Sequence, residues 1–336
     1  MRSFVRGVAI ASLLLAAAAP AMADPSSAPR RPVQFVIISF DGAHDLAQWR
    51  RSRTLARRTG ATFTYFLSCV FLLSPQTKSA YHPPRMKAGR SNVGFAASRE
   101  EVEQRLYQIR LAAGEGHELA SHGCGHFDGR HWTAADWSRE FDAFRTILGD
   151  AYRINGIGPE PADWPGIVDS VQGFRAPYLS AGPAMHEALA GHGFAYDASG
   201  VSRGPAEPDA RGPVLRFALP QIAEGPKGRP VIAMDYNLYV RHSGGKDQPA
   251  RGQAFERRAY EAFKAAFDGQ HEGARTPLQL GFHFTLMNGD AYWRALERFT
   301  QEVCVKPDVR CVTYSDYIRE TGGIASAAAH HSRSGI

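Results

Sequence analysis

Cysteine is scarce. Four residues in 336 exclude the disulfide-dense miniature scaffolds of small secreted domains. An excess of one charge is missing as well: 39 Lys and Arg stand against 33 Asp and Glu. The resulting net charge of +6 is too thin and too interspersed for a nucleic-acid-binding surface. Beyond Ala23 no apolar run approaches the ~20 residues that a membrane-spanning helix needs. A bundle of long helices is not expected either, because 33 Gly and 21 Pro are strong turn-formers. Internal repeats are absent. What is plentiful is apolar content, 44% against 21% charged, which predicts a folded globular chain.

Residues 1–23 read as an export signal. Arg2 and Arg6 precede an apolar stretch over 8–19, and Ala21-Met22-Ala23 forms a small-x-small cleavage site. The stretch is too short to span a bilayer and Pro20 interrupts it. The expectation is a mature chain that starts at Asp24, periplasmic or secreted, without stable membrane insertion. Residues 24–32 then form a Pro/Ser/Arg linker, 33–320 the folded domain, and 321–336 a Gly/Ala/Ser/His tail expected to be disordered.

Short β-branched and aromatic runs predict strands at 34–40, 62–67, 118–121, 171–175, 194–197, 231–235, 278–284 and 310–313. Helical patterns at 46–59, 100–113, 137–148, 185–190, 255–267 and 292–302 fall between several of them, with Ser98 as an N-cap and Gly60 as a stop. Residues 73–97 predict a long loop over a functional face, and 200–228 an irregular excursion. Strand–helix alternation along the whole length predicts one α/β domain around a mainly parallel sheet.

The residues with chemical potential cluster after strand ends: Asp41, His122, Arg175, Asp235 and His283. In a parallel barrel those positions share one face. His122 and His126, in H-E-L-A-S-H-G-C-G-H, have a spacing that can converge on a metal ion, and the flanking glycines favour a loop over a helix. Asp41 in S-F-D-G is a general base, a metal ligand or simply an Asp-Gly turn. His283 lies between Phe282 and Phe284, and Arg175 precedes Pro177 in a pinned turn. For the cysteines, a local Cys304–Cys311 bridge is feasible, and Cys69 and Cys124 end neighbouring strands. Four cysteines allow three pairings, and sequence does not choose among them.

The succession S-F-D, H-x3-H, R-A-P-Y and a late G-F-H-F resembles the polysaccharide deacetylases, the NodB-homology group of carbohydrate esterase family 4, in their chitin-deacetylase-like branch. The resemblance runs from about residue 33 to residue 318. It implies a distorted (β/α) barrel with seven or eight strands and a hydrolase that removes N-acetyl groups from a chitin- or peptidoglycan-like glycan. It also implies roles. Asp41 would be the base, Arg175 its orienting partner, His283 the acid, and Tyr178 a backbone N–H donor to the oxyanion. Asp235, or else Asp197, would orient His283. His122 and His126 would hold a divalent ion, most simply zinc. The family's third ligand is an Asp at the position of Gly42, and Asp45 is the expected substitute. Trp132, Trp164, Tyr81 and Tyr236 are candidates for stacking on sugar rings. The alternatives are a glycan-binding pseudoenzyme of the same fold and a metal-independent amidohydrolase acting on a small cyclic amide or ureide.

Overall fold

The run QFVIISFDG is buried along nearly its whole length, as a strand covered on both faces must be, and it has more strand neighbours than any other segment. The computed structural model describes residues 32–322. The export signal, the linker except Pro32 and the tail beyond Gly322 lie outside the described residues.

In chain order the strands are β1 (Gln34–Gly42), β2 (Thr64–Leu67), β3 (Glu118–Ser121), β4 (Gly173–Phe174), β5 (Tyr196–Ser202), β6 (Leu215–Glu224), β7 (Arg229–Ile232), β8 (Leu278–His283) and β9 (Val309–Val312). The helices are α1 (Leu46–Thr59), α2 (Arg99–Gly114), α3 (Ala134–Gly149), α4 (Ala151–Ile154), α5 (Trp164–Asp169), α6 (Pro183–Gly191), α7 (Asp235–Ser243), α8 (Gly252–Glu272), α9 (Ala291–Val303) and α10 (Tyr314–Thr321). Eight strands follow the order β7-β6-β5-β4-β3-β2-β1-β8, and β9 pairs with the start of β1. Every pairing is parallel except β6–β7. The sheet curls until Met234, just past β7, bridges Gly281 of β8, where the Gly281 N–H donates to Ala233 O at 2.9 Å. The approach is close: a Cβ on Gly281 would sit 2.8 Å from the end of the Met234 side chain, which would have to shift. The result is the distorted (β/α) barrel expected from sequence, with one strand more than the seven or eight anticipated.

Alternation along the strands divides two cores. Ile37, Phe66, Ala120, Tyr196 and Phe217 fill the barrel interior together with Tyr314 from α10. Val36, Phe40, Tyr65 and Leu67 face outward under the helices. Sealing the first helix takes two local signals: Asp45 caps its start by accepting from Gln48 N at 2.9 Å, and Gly60 ends it with φ +69°.

Two expectations need correction. Residues 200–228 are not an irregular excursion, since they contain the end of β5 and all of β6, the longest strand. Pro220 disguised β6. It stands where pairing changes from parallel with β5 to antiparallel with β7, a position that tolerates a residue with no N–H to donate. The strand expected at 231–235 ends at Ile232, and Asp235 instead opens α7.

Candidate active site

Asp41 and His283 are register partners on β1 and β8, so their side chains stand side by side at the C-terminal mouth of the barrel. Arg175, just past β4, lies fully buried beneath them. Its guanidinium donates to Asp41 Oδ1 (2.8 Å), Ser39 Oγ (2.9 Å), Ala198 O (3.0 Å) and Tyr314 Oη (2.8 Å), and it covers the Phe66 ring at 4.3 Å. Burial alone would raise the Asp41 pKa, but the Arg175 charge, with His122 and His283 behind it, holds the carboxyl below the usual carboxylate range. Asp41 is therefore ionised at neutral pH.

His283 is held at two points. Its Nδ1 donates to Asp235 Oδ1 at 2.6 Å and its backbone N–H to Asp235 Oδ2 at 2.8 Å. Asp235 itself is completely buried, whereas the His283 side chain keeps 27% of its surface open. Burial would lower the imidazole pKa, but the Asp235 charge and hydrogen bond outweigh it and the net direction is up. Asp197 is engaged elsewhere, accepting from Ser199 and facing His186 Nε2 at 3.0 Å. Of the two carboxylates considered for His283, the structure brings it Asp235.

His122 and His126 flank a tight turn, with Gly123 at φ +67° and His126 itself at +54°. Their ring centroids are 5.1 Å apart. His122 Nδ1 donates to the Arg175 carbonyl at 2.8 Å, which leaves Nε2 as a bare lone pair. Burial, reinforced by His126 and only partly offset by the Asp41 charge, leaves the His122 pKa lowered to about 3. Tyr178 and Leu179 both occupy left-handed backbone (φ +58° and +55°), a strained pair of the kind found at functional turns. Leu179 and Ser180 donate back to Ala176 and Pro177, while the Tyr178 N–H has no such partner among the described residues. The Tyr178 ring, 57% exposed, packs edge-on to His126 at 4.8 Å.

Neither any protein-family model nor any curated protein matches this chain. Solved structures do. A protein described as a polysaccharide deacetylase from Mycobacterium smegmatis is 17% identical, with a TM-score of 0.52 over 88% of this chain and 92% of that one. A second so described, from Pseudomonas aeruginosa PAO1, is 17% identical with a TM-score of 0.51 over 85% and 89%. The chain has the polysaccharide deacetylase fold. Puue allantoinase shares it at 16% identity, with a TM-score of 0.50 over 85% and 89% of the two chains.

Within this deacetylase fold the metal ligands are incomplete. His122 has the orientation of a ligand, its Nδ1–H fixed by a carbonyl and its Nε2 released. The carboxylate expected from Asp45 does not come to the histidines, because it is spent on capping α1. Gly42 has no side chain, and its φ of +78° is one that an L-residue enters only with strain. Among the described residues no group of three His, Cys, Asp or Glu side chains is placed to hold an ion. The donor set thus does not fit a three-ligand site.

Several site residues carried no sequence signal. Ser39 and Tyr314 hold Arg175, and Ser199 Oγ accepts from Ala176 N at 2.8 Å in the strained turn. Glu140 lies buried under the histidine loop, accepting from Cys124 N at 2.6 Å and Tyr81 Oη at 2.8 Å. Tyr81 and Trp164 are wholly buried and do not reach a ligand, which removes them as sugar-stacking residues. Tyr236, 53% exposed and near His283, keeps that possibility.

Both disulfides are formed, Cys69–Cys124 and Cys304–Cys311. The first ties the end of β2 to the histidine loop across 55 residues, the second closes only 7. By loop-closure entropy the Cys69→Ala/Cys124→Ala pair should lose about 4 kcal/mol and Cys304→Ala/Cys311→Ala about 2.5. Urea unfolding of the two double variants measures the difference, and equal losses would refute the ranking.

Proposed function

We propose that this protein is an exported hydrolase that removes N-acetyl groups from a chitin- or peptidoglycan-like glycan. One observation carries the reading: an ionised Asp41 locked by Arg175 stands beside His283, itself backed by a buried Asp235. A binding protein has no need of opposed base and acid. An amide resists water because its carbonyl is weakly electrophilic and its nitrogen leaves poorly. Asp41 would take a proton from the attacking water, and His283 would give one to the departing amine. The Tyr178 N–H, in its strained turn, would meet the oxyanion. If a divalent ion such as zinc is present, His122 and His126 are the residues to hold it, and it would polarise the carbonyl. Among the described residues no third protein ligand stands with the two histidines.

Acetate release from N-acetylglucosamine oligomers, measured together with the metal content of the purified protein, tests the reading. Release of acetate supports it, and none from any oligomer length would sink it. A second reading is favoured by the missing third carboxylate: the same acid and base acting without metal on a small cyclic amide or ureide. Ring opening without acetate release would select it.

The pH profile follows from the same pair. Activity should be lost at low pH as Asp41 takes up a proton, below the usual carboxylate range. It should be lost again at high pH as His283 gives up its proton, above the ordinary imidazole value. Asp235→Asn removes the largest influence raising His283 and leaves only the Asp41 charge against burial, so the alkaline limb should move to lower pH. An unmoved limb in kcat/KM against pH would assign it to another group.

A further inference from the structure

We infer that the Ser68 hydroxyl is a further active-site group, sharing with Asp41 the water that attacks the substrate. The chemistry of that water rests on the hydrolase reading; the placement of Ser68 does not. Ser68 follows β2 in extended backbone (φ −96°, ψ 115°), so the alternation of the strand continues through it. Phe66 faces the barrel interior beneath Arg175 and Leu67 faces the helices. Ser68 therefore turns inward again, one layer above Phe66. Two backbone bonds bracket it: His122 N donates to Leu67 O at 2.8 Å and Cys69 N to Gly123 O at 3.1 Å. Ser68 thus stands directly opposite His122 and Gly123 at the mouth.

Its other neighbour is β1, where Asp41 pairs with Phe66. A lateral step of about 4.8 Å and two rungs of roughly 3.3 Å put the Ser68 and Asp41 backbones some 8 Å apart. That is too far for a direct bond between two short side chains and suits a single bridging water. The hydroxyl is only 3% exposed, yet Ser68 Oγ has no hydrogen-bond partner among the described residues. An unpaired buried hydroxyl costs stability, so an occupant of its free valence is called for. Asp41 has the complementary need, since Arg175 engages only Oδ1. A water held between Oδ2 and Ser68 Oγ would lie beside its base and keep a lone pair free for the acyl carbon. Its oxygen then bonds to that carbon, its proton passes to Asp41, and the C–N bond breaks as His283 protonates the nitrogen.

Ser68→Ala tests this. kcat for acetate release should fall about 10- to 100-fold with KM little changed, while the melting temperature changes little, because the hydroxyl bonds that water and no other protein group among the described residues. Near wild-type kcat would overturn the assignment, as would a drop in activity that tracks a drop in melting temperature. If the wild type releases no acetate, the hydrolase reading fails separately, and high-resolution crystal structures decide on Ser68. An ordered water within hydrogen-bond distance of Ser68 Oγ and an Asp41 oxygen, lost in Ser68→Ala, supports the inference; its absence from the wild type overturns it.

Discussion

Asp41→Asn and His283→Ala should each lower acetate release by about 10²- to 10⁴-fold, the span that a positioned base or acid contributes. Substrate binding should change far less. The asymmetry follows from geometry. Asn at position 41 keeps the shape and can still accept from Arg175, but it cannot take a proton from water. Alanine at 283 removes the proton donor and leaves the buried Asp235 with backbone N–H partners only. Because base and acid serve one transition state, the double variant should lose little more than the worse single one. Turnover and binding of a non-hydrolysed oligomer, measured separately, separate the two effects. Near wild-type turnover in either variant would remove that residue from the mechanism.

The largest loss of stability is expected at Arg175. Arg175→Met removes four donated hydrogen bonds and the cation over Phe66, and it strands the Asp41 carboxylate, 4% exposed, without a counter-charge. Breaking a buried pair from one side costs about 3–5 kcal/mol. Arg175→Lys should recover only part of this, because one ammonium cannot reproduce a planar fork aimed at four acceptors. Adding Asp41→Asn to Arg175→Met removes the stranded charge and should recover part of the lost stability without restoring activity. In Arg175→Met the Asp41 pKa loses its main lowering influence, so the acid limb of any residual activity should move to higher pH. Urea denaturation measures the first effect and the pH profile the second. A variant as stable as the wild type would mean that Asp41 finds compensation elsewhere.

Much of this protein was determined by its sequence alone, through features that act over a few residues. The apolar run of β1, the Ser98 cap of α2 and the Gly60 stop of α1 were legible because each depends on local chemistry. The order of Asp41, His122, Arg175 and His283 along the chain was legible for the same reason, since each lies at the end of its own strand or just past it. Asp45 shows the opposite error. An Asp immediately before a helical pattern is an N-cap signal, and Asp45 caps α1. β6 stayed hidden because Pro220 is a strand breaker except where a strand changes partners, and a change of partners is a tertiary event. The tertiary structure alone decided that Asp235 rather than Asp197 meets His283 across 48 residues, and that Cys69 pairs with Cys124. It also decided that Ser39, Ser68 and Tyr314 belong to the site at all. A hydroxyl carries no periodicity and no spacing; it acquires a role only when the curl of a parallel sheet brings distant strand ends to one mouth.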